Sequence, residues 1–309
     1  MITIGTRKSK LAMWQTETVA SMLEQGGLRT RINSMETIGD KILDRSIAKI
    51  GSKGVFTAEL EEQLQSGLTD IAVHSAKDMQ SQLPDGFTLI AYTKREKVND
   101  ILLSDDSSVD IDAKDKPLII GTSSVRRRAF LRHYYPHVQL VEMRGNLQTR
   151  IRKMQEGACD ALMLAYAGVV RMGYGDMIVH EFGVDQFVPP VGQGCIAVEC
   201  AVTLAPEKVE KIRASVNDLQ SEACLLAERA FLKKLEGGCS IPAFGHATLD
   251  GDELTLTAGL ASLDGATIVR TTRKGSARDP EKLGIAVGEY ILANNGRKML
   301  AEIKNLQKS

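Results

Sequence analysis

The chain is predicted to fold as two successive α/β units followed by a small α+β domain. Three observations carry this. Strand-like and helical segments alternate from Ile2 to Val73 and again from Leu118 to Arg171. Beyond Cys239 the pattern changes to strands of alternating residues joined by tight turns. The length, 309 residues, exceeds what one hydrophobic core comfortably serves, so two or three domains are expected.

Ile2 to Gly5 reads as a short strand. A helix from Lys10 to Gln25 follows, with Ser9 as N-cap and Leu11, Trp14, Val19, Met22 and Leu23 near one face. Gly26-Gly27 closes it, and Arg29 to Thr37 is the next strand. A loop with Lys49, Gly51, Lys53 and Gly54 leads into a helix from Thr57 to Gln65. Asp70 to Val73 is a buried strand, and His74-Ser75-Ala76-Lys77-Asp78 comes off its carboxyl end. This alternation is the pattern of a parallel sheet with crossover helices.

Leu103 to Pro117 is polar and reads as a linker or surface loop. The second unit repeats the same grammar without repeating the sequence. Leu118 to Ile120 is a strand, Gly121-Thr122-Ser123-Ser124 a turn, and Val125 to Tyr134 a helix. Gln139 to Met143 is a strand, and Arg144-Gly145-Asn146 opens a helix to Gln155. Ala161 to Ala165 is a strand, with a short helix through Arg171. Pro189-Pro190 is stiff and Gly192 and Gly194 are permissive, which predicts a hinge edge there and another near Lys94 to Asp100. Ile196 to Glu199 is a strand, and helices cover Pro206 to Val216 and Ser221 to Leu235. In the tail, Ala243 to Leu249, Glu253 to Ala261 and Ala266 to Arg273 form a three-stranded meander with turns at Asp250-Gly251 and Asp264-Gly265. A last helix starts at Asp279-Pro280 and closes near Gly296.

Lys plus Arg and Asp plus Glu each number 39, so the formal charge is zero, which argues against a general nucleic-acid or membrane binder. No apolar run approaches a membrane span, and the N-terminus reads as a strand rather than a signal peptide. Five cysteines, with no metal-type pairing, fit a reducing cytoplasm.

The zero balance hides a polarised distribution. Between Leu118 and Gly173, eight Arg and one Lys stand against Glu142, Glu156 and Asp160. Arg126-Arg127-Arg128 open a helix, Arg144 follows a strand, Arg150 lies on the next helix and Arg171 ends the third strand–helix pair. Ligands of open α/β sheets bind beyond the carboxyl ends of strands, where helix N-termini favour anions and arginine matches a carboxylate. The expected ligand is a polyanion with several carboxylates. A solvated basic face is the plainer alternative, and nucleic acid is disfavoured by overall neutrality and few aromatics.

Arg7 and Ser9 take the equivalent position in the first unit, with Lys49 and Lys53 adding charge. Asp78 is the odd acid of its strand-end loop, suited to holding N–H donors or stabilising a transient cation, or equally to capping its own loop. Cys239 follows the helix end Leu235-Glu236-Gly237-Gly238, where Gly237 suits the left-handed closing position. A thiolate on such a turn can be a nucleophile or a covalent anchor. A lone cysteine is more often a small buried residue.

Taken together, these motifs resemble the hydroxymethylbilane synthase family, also called porphobilinogen deaminases. The matches are Thr6-Arg7-Lys8-Ser9-Lys10-Leu11-Ala12 with Trp14-Gln15, Lys53-Gly54-Val55-Phe56, and His74-Ser75-Ala76-Lys77-Asp78. They continue with Gly121-Thr122-Ser123-Ser124-Val125-Arg126-Arg127, Arg144-Gly145-Asn146 with Thr149-Arg150, Val191-Gly192-Gln193-Gly194, and Leu235-Glu236-Gly237-Gly238-Cys239. Each is weak alone, whereas this order nearly end to end is specific.

The resemblance implies two periplasmic-binding-protein-like lobes, here 1–95 with 195–213 and 99–190, and a third domain over 217–309. It implies a dipyrromethane cofactor joined to Cys239 through a thioether. Four porphobilinogen units are added, each with loss of ammonia, and the linear tetrapyrrole is released by hydrolysis. It makes Asp78 the catalytic carboxylate. Lys77, Ser124, Arg126, Arg127, Arg144, Gly145, Arg150 and Asp78 would hold the cofactor. Arg7, Ser9, Gln15, Lys53, Arg144, Arg150 and Arg171 would hold substrate. It also implies a cytoplasmic monomer with no metal, membrane or nucleic-acid partner. Ala76, Met79-Gln80, Lys97-Val98-Asn99 and Cys195 depart from the family's commoner residues, and the missing proline after Asp78 leaves that loop less constrained. The alternative from another class is a non-catalytic two-lobed anion-binding protein, which explains neither the third domain nor Cys239.

Overall fold

In the computed structural model, residues 1–37, 57–114, 116–238 and 240–308 are described. The predicted contributions of Lys49, Lys53, Gly54 and Cys239 therefore lie outside the described residues. Among these residues the chain forms three sheets.

The first sheet contains β1 (Ile2–Arg7), β2 (Thr30–Met35), β3 (Ile71–Ser75), β4 (Phe87–Tyr92) and β10 (Ile196–Ala201). Their order across the sheet is β2-β1-β3-β10-β4. The second contains β5 (Asp100–Leu103), β6 (Ile119–Gly121), β7 (Gln139–Val141), β8 (Ala161–Ala165) and β9 (Ile178–Glu181). Their order is β7-β6-β8-β5-β9. The two sheets share one topology. Three parallel strands come first, then an antiparallel strand that arrives from the other lobe, then an edge strand. The repeat that the sequence does not show is therefore present in the topology, and each lobe lends its neighbour the fourth strand.

Local chemistry explains the helices. α1 (Lys10–Gln25) is capped by the Ser9 hydroxyl, which accepts from the Ala12 N–H, and buries Val19, Ala20 and Leu23 against β1 and β3. α2 (Ala58–Gln65) covers the other face with Leu60 and Leu64. In the second lobe lie α3 (Val125–Tyr134), α4 (Leu147–Gln155) and α5 (Tyr166–Arg171). α6 (Pro206–Val216) returns to the first lobe, where Ile212 and Val216 join its core.

The third sheet is the predicted meander, β11 (Ala243–Asp250), β12 (Glu253–Ala261) and β13 (Ile268–Ser276). α7 (Leu219–Lys234) and α8 (Pro280–Ile291) pack on it. The helix breaks near Gly296, as expected, but it is not the last one. Asn294 and Asn295 break the helix, Asn295 at φ 73°, and the chain then resumes as α9 (Arg297–Lys308). Asparagine tolerates that left-handed turn better than most residues. No helix among the described residues is long and apolar enough to cross a membrane.

Three strands escape the sequence reading. β4 and β9 are edge strands, and β5 lies between the predicted crossing, which ends at Asp100, and the predicted linker, which begins at Leu103. The two crossings fall where expected, between Tyr92 and Asp100 and between Glu181 and Ile196. They are hydrogen-bonded to each other. Thr93 N–H donates to Ile196 O and Glu96 N–H to Gly194 O. Glu228 of α7, fully buried, accepts both terminal nitrogens of Arg95, the Gly192 N–H and the Ala247 N–H. One carboxylate thus ties both crossings to the third sheet. That sheet also packs on the second lobe, with Phe244 5.0 Å from Phe130, ring centre to ring centre.

Candidate active site between the lobes

In the first lobe, β3 ends at Ser75 and the chain turns through a single 3-10 turn, Ala76–Asp78. Gln15 is buried, and its amide and the Ser75 hydroxyl bond each other at 2.9 and 3.2 Å. It braces the turn from α1. Beyond Asp78 the departures from the family pattern are held in place. Met79 is buried in the core shared with the third domain, Arg229 of α7 donates to Gln80 O, and the Gln80 amide reaches the Thr57 hydroxyl. Side-chain anchors replace the constraint of a proline. Asp78 is exposed and Lys77 half-buried beside it.

In the second lobe the Ser124 hydroxyl caps α3 by accepting the Arg127 N–H. Arg126 and Arg127 therefore sit in the first helical turn, where cations are disfavoured by the helix dipole. Asp100, the first residue of β5, offsets this. Its Oδ2 accepts Arg126 at 2.5 Å, and its Oδ1 accepts Arg127 Nε at 3.0 Å and a terminal nitrogen at 2.8 Å. Both guanidinium groups are buried, and Arg126 Nε has no hydrogen-bond partner among the described residues. Asn146 caps α4, and Gly145 before it stands at φ 116°, where a Cβ would also strike Thr149. Arg150 Nε donates to Gly145 O, and Arg144 pairs with Glu142.

Lys77, Asp78, Arg126, Arg127, Arg144 and Arg150 are thus brought together electrostatically. Burial, with Arg127 beside it, pulls the Lys77 ammonium down to about 8, against Asp78 and Asp100. Burial and Arg127 also lower Arg150 to about 10. For Asp100, burial pushes the carboxyl up, but the two arginines outweigh it and hold it at about 2.

The remaining predicted residues stand elsewhere. Arg171 donates to Gly194 O in the second crossing and lies over the Trp14 ring, so it joins the lobes at the edge of the cluster. Arg7 ends β1, and the Ser9 hydroxyl is engaged in capping α1. At the end of α7, Glu236 N–H donates to Lys233 O and Gly237 N–H to Leu232 O. This is a Schellman closure, and its left-handed residue is Glu236, at φ 51°, rather than Gly237. Gly237 is needed for space instead, since a Cβ there would sit 2.6 Å from Ile241.

Sequence reasoning took Asp78 for the lone acid and missed Asp100, Gln193, Arg95 and Glu228. Gln193 lay within a quoted motif without a role. Its buried amide donates to Val98 O at 2.7 Å and Asp100 Oδ1 at 3.0 Å, while its carbonyl faces Lys77 at 3.4 Å and Arg127 at 3.5 Å. The one signal for Asp100 was an acid just ahead of an apolar Ile-Leu-Leu run.

The donor set suits a ligand with several carboxylates. It combines guanidinium forks, an ammonium, two capped helix starts and one orphaned Arg126 N–H. The chain is similar to known proteins. The family model "Porphobilinogen deaminase, dipyromethane cofactor binding domain" matches residues 2–207, and "Porphobilinogen deaminase, C-terminal domain" matches 222–293. The porphobilinogen deaminase of Desulfosudis oleivorans is 58% identical over 99% of both chains. That of Cytophaga hutchinsonii is 52% identical over 98% of this chain and 97% of its own. Among solved structures, the second substrate-binding domain of a putative amino acid ABC transporter from Streptococcus pneumoniae aligns at TM-score 0.44 with 15% identity. The alignment covers 70% of this chain and 91% of that one. Matched by both family models and by relatives along almost its whole length, the chain belongs to the porphobilinogen deaminase family.

Proposed function

We propose that this chain is a transferase that condenses four molecules of porphobilinogen head to tail, each with loss of ammonia. It then releases the linear tetrapyrrole hydroxymethylbilane by hydrolysis. The observation that carries the reading is the meeting of Lys77 and Asp78 from one lobe with Arg126, Arg127, Arg144 and Arg150 from the other. Each porphobilinogen brings two carboxylates and one pyrrole N–H. Cations answer the first and a carboxylate the second.

Cys239 is the proposed thioether anchor. Dipyrromethane bound there supplies the free pyrrole carbon to which the first unit is added. Lys77, Ser124, Arg126, Arg127, Arg144, Gly145 and Arg150 would hold its acidic side chains or approach them closely. Arg7, Ser9, Gln15, Lys53 and Arg171 would serve the incoming monomer, with Gln15 acting through Ser75. Asp78, exposed at its turn, accepts the pyrrole N–H. When the aminomethyl C–N bond breaks and ammonia departs with the electron pair, Asp78 stabilises the azafulvene cation left behind. The Glu228 tie holds the third domain against both crossings.

The proposed division is 1–95 with 195–213, 99–190 and 217–309. The enzyme is further assigned to the cytoplasm, in keeping with four described cysteines that are all free and buried, and to a monomeric state, which light scattering tests. Intact mass tests the function. The purified chain should exceed its sequence mass by two pyrrole units, and Cys239→Ser should lack the excess while folding normally. A wild-type mass equal to the sequence mass would favour a binding protein instead.

A further inference from the structure

Gln193 belongs to the second crossing, yet its side chain touches residues of the first crossing and of both lobes. The amide sorts charge by its two ends. Its NH2 faces two acceptors, Val98 O and Asp100 Oδ1, and its oxygen faces two cations, Lys77 and Arg127. Turning the amide over would set NH2 against both cations and oxygen against both acceptors, so one orientation is fixed. Gln193 and Asp100 are both fully buried.

We propose that Gln193 and Asp100 are positioning residues for carboxylate binding: the amide–carboxylate pair holds Lys77 of one lobe and Arg127 of the other at a common point, aligned before a ligand enters. Arg126 and Arg127 share the single buried carboxylate of Asp100, and Lys77 reaches the same cluster through the Gln193 oxygen, with Asp78 exposed beside it. Arg126 and Arg127 are adjacent at a helix start and repel each other. Arg126 also donates to Val188 O at 3.0 Å and Arg127 to Met163 O at 3.1 Å, but Asp100 is the one anion that the two share. The Gln193 oxygen is the acceptor that Lys77 and Arg127 share, and without it the lobes could shift one cation relative to the other. Arg95 Nε also donates to the Gln193 carbonyl oxygen of the main chain, which fixes the residue from its other side. The inference rests on the function proposed above, but concerns how the cations are aimed rather than what they bind.

The experiment compares wild type with Gln193→Leu, Gln193→Met, Asp100→Asn and the double variant Asp100→Asn/Gln193→Glu. The double variant moves the carboxylate from position 100 to 193, where it still faces Lys77 and Arg127 and can accept from the amide introduced at position 100, at the cost of the bond to Val98 O. Each protein is read by thermal melting, by intact mass for the two-pyrrole adduct, and by KM and kcat for porphobilinogen. Asp100→Asn is expected to be mostly without adduct, and the double variant to regain it in at least half of the molecules. Gln193→Leu is expected to carry the adduct, with KM raised about tenfold and a smaller change in kcat. The proposal is overturned if Gln193→Leu melts like wild type and keeps its KM. It is equally overturned if the double variant melts like wild type yet stays without adduct, or if neither Gln193→Leu nor Gln193→Met folds, which would make the role structural. A wild type without adduct would instead defeat the functional reading, so the two failures are distinguishable.

Discussion

Asp100 and Arg127 lie 27 positions apart and meet twice, Arg127 giving both Nε and a terminal nitrogen to Asp100 Oδ1. Asp100 starts the strand that the first lobe lends to the second, and Arg127 starts a helix beside it. The chain's exchange of strands is therefore what brings the counter-ion to the arginines.

Asp100 makes an acid-side prediction. Its folded value, about 2, lies below the unfolded carboxyl near 4, so its stabilisation is complete above about pH 4 and is lost as pH falls toward 2. The contribution is about 2 kcal/mol. Urea unfolding of wild type and Asp100→Asn between pH 7 and pH 3 checks this. The stability gap between them should narrow only below about pH 4, and a gap that stays constant down to pH 3 would count against it.

Lys77 makes the alkaline one. Its folded value near 8 means that the ammonium is present below that pH and is lost above it. Loading of the apo-enzyme with dipyrromethane should weaken as pH passes 8, because Lys77, a partner of its carboxylates, loses its charge. Lys77→Arg keeps the charge and should move that loss above about pH 10. Identical profiles for the two enzymes would remove Lys77 from the binding set.

Asp78 is predicted to act on chemistry. Asp78→Asn preserves size and should melt within a few degrees of wild type, since the residue is exposed. Turnover should fall by about a hundredfold or more. Stopped-flow release of ammonia from one equivalent of substrate measures the step directly, and near-normal release would refute the role.

Arg95 and Glu228 are predicted to hold the three bodies together. Arg95→Met leaves the buried Glu228 carboxylate with backbone donors alone. The expected loss is about 3–5 kcal/mol, because a buried charge is stranded. Denaturant midpoints test it, and a loss under about 1 kcal/mol would show that the tie is unimportant.

Glu236→Gly should stabilise the closure of α7 by about 1 kcal/mol, since a side chain in the left-handed region is strained and glycine is not. The exposed Lys304 contact that is lost is worth little. An unchanged or lower melting temperature would contradict the strain.

The amino-acid sequence by itself determined the alternating α/β elements, the third sheet and the family. Those depend on neighbours: caps such as Ser9, Ser124 and Asn146, turn glycines, and short motifs whose order alone is specific. It also showed arginines at strand ends, because strand and helix boundaries are local. What only the tertiary structure decided is who answers those charges. Asp100 reaches Arg126 and Arg127 across 26 and 27 positions, Gln193 reaches Asp100 across 93, and Glu228 reaches Arg95 across 133. Each of these partners is an ordinary acid or amide in its local context. β5 and β9 are not followed by a helix, and that alternation is what made the shorter β6 and β7 legible. β4, Phe-Thr-Leu-Ile-Ala-Tyr after Pro84-Asp85-Gly86, carried a legible strand signal. What makes Asp100 a counter-ion is burial beside two guanidinium groups. Burial is set by which lobe a strand crosses into, and no spacing along the chain records that.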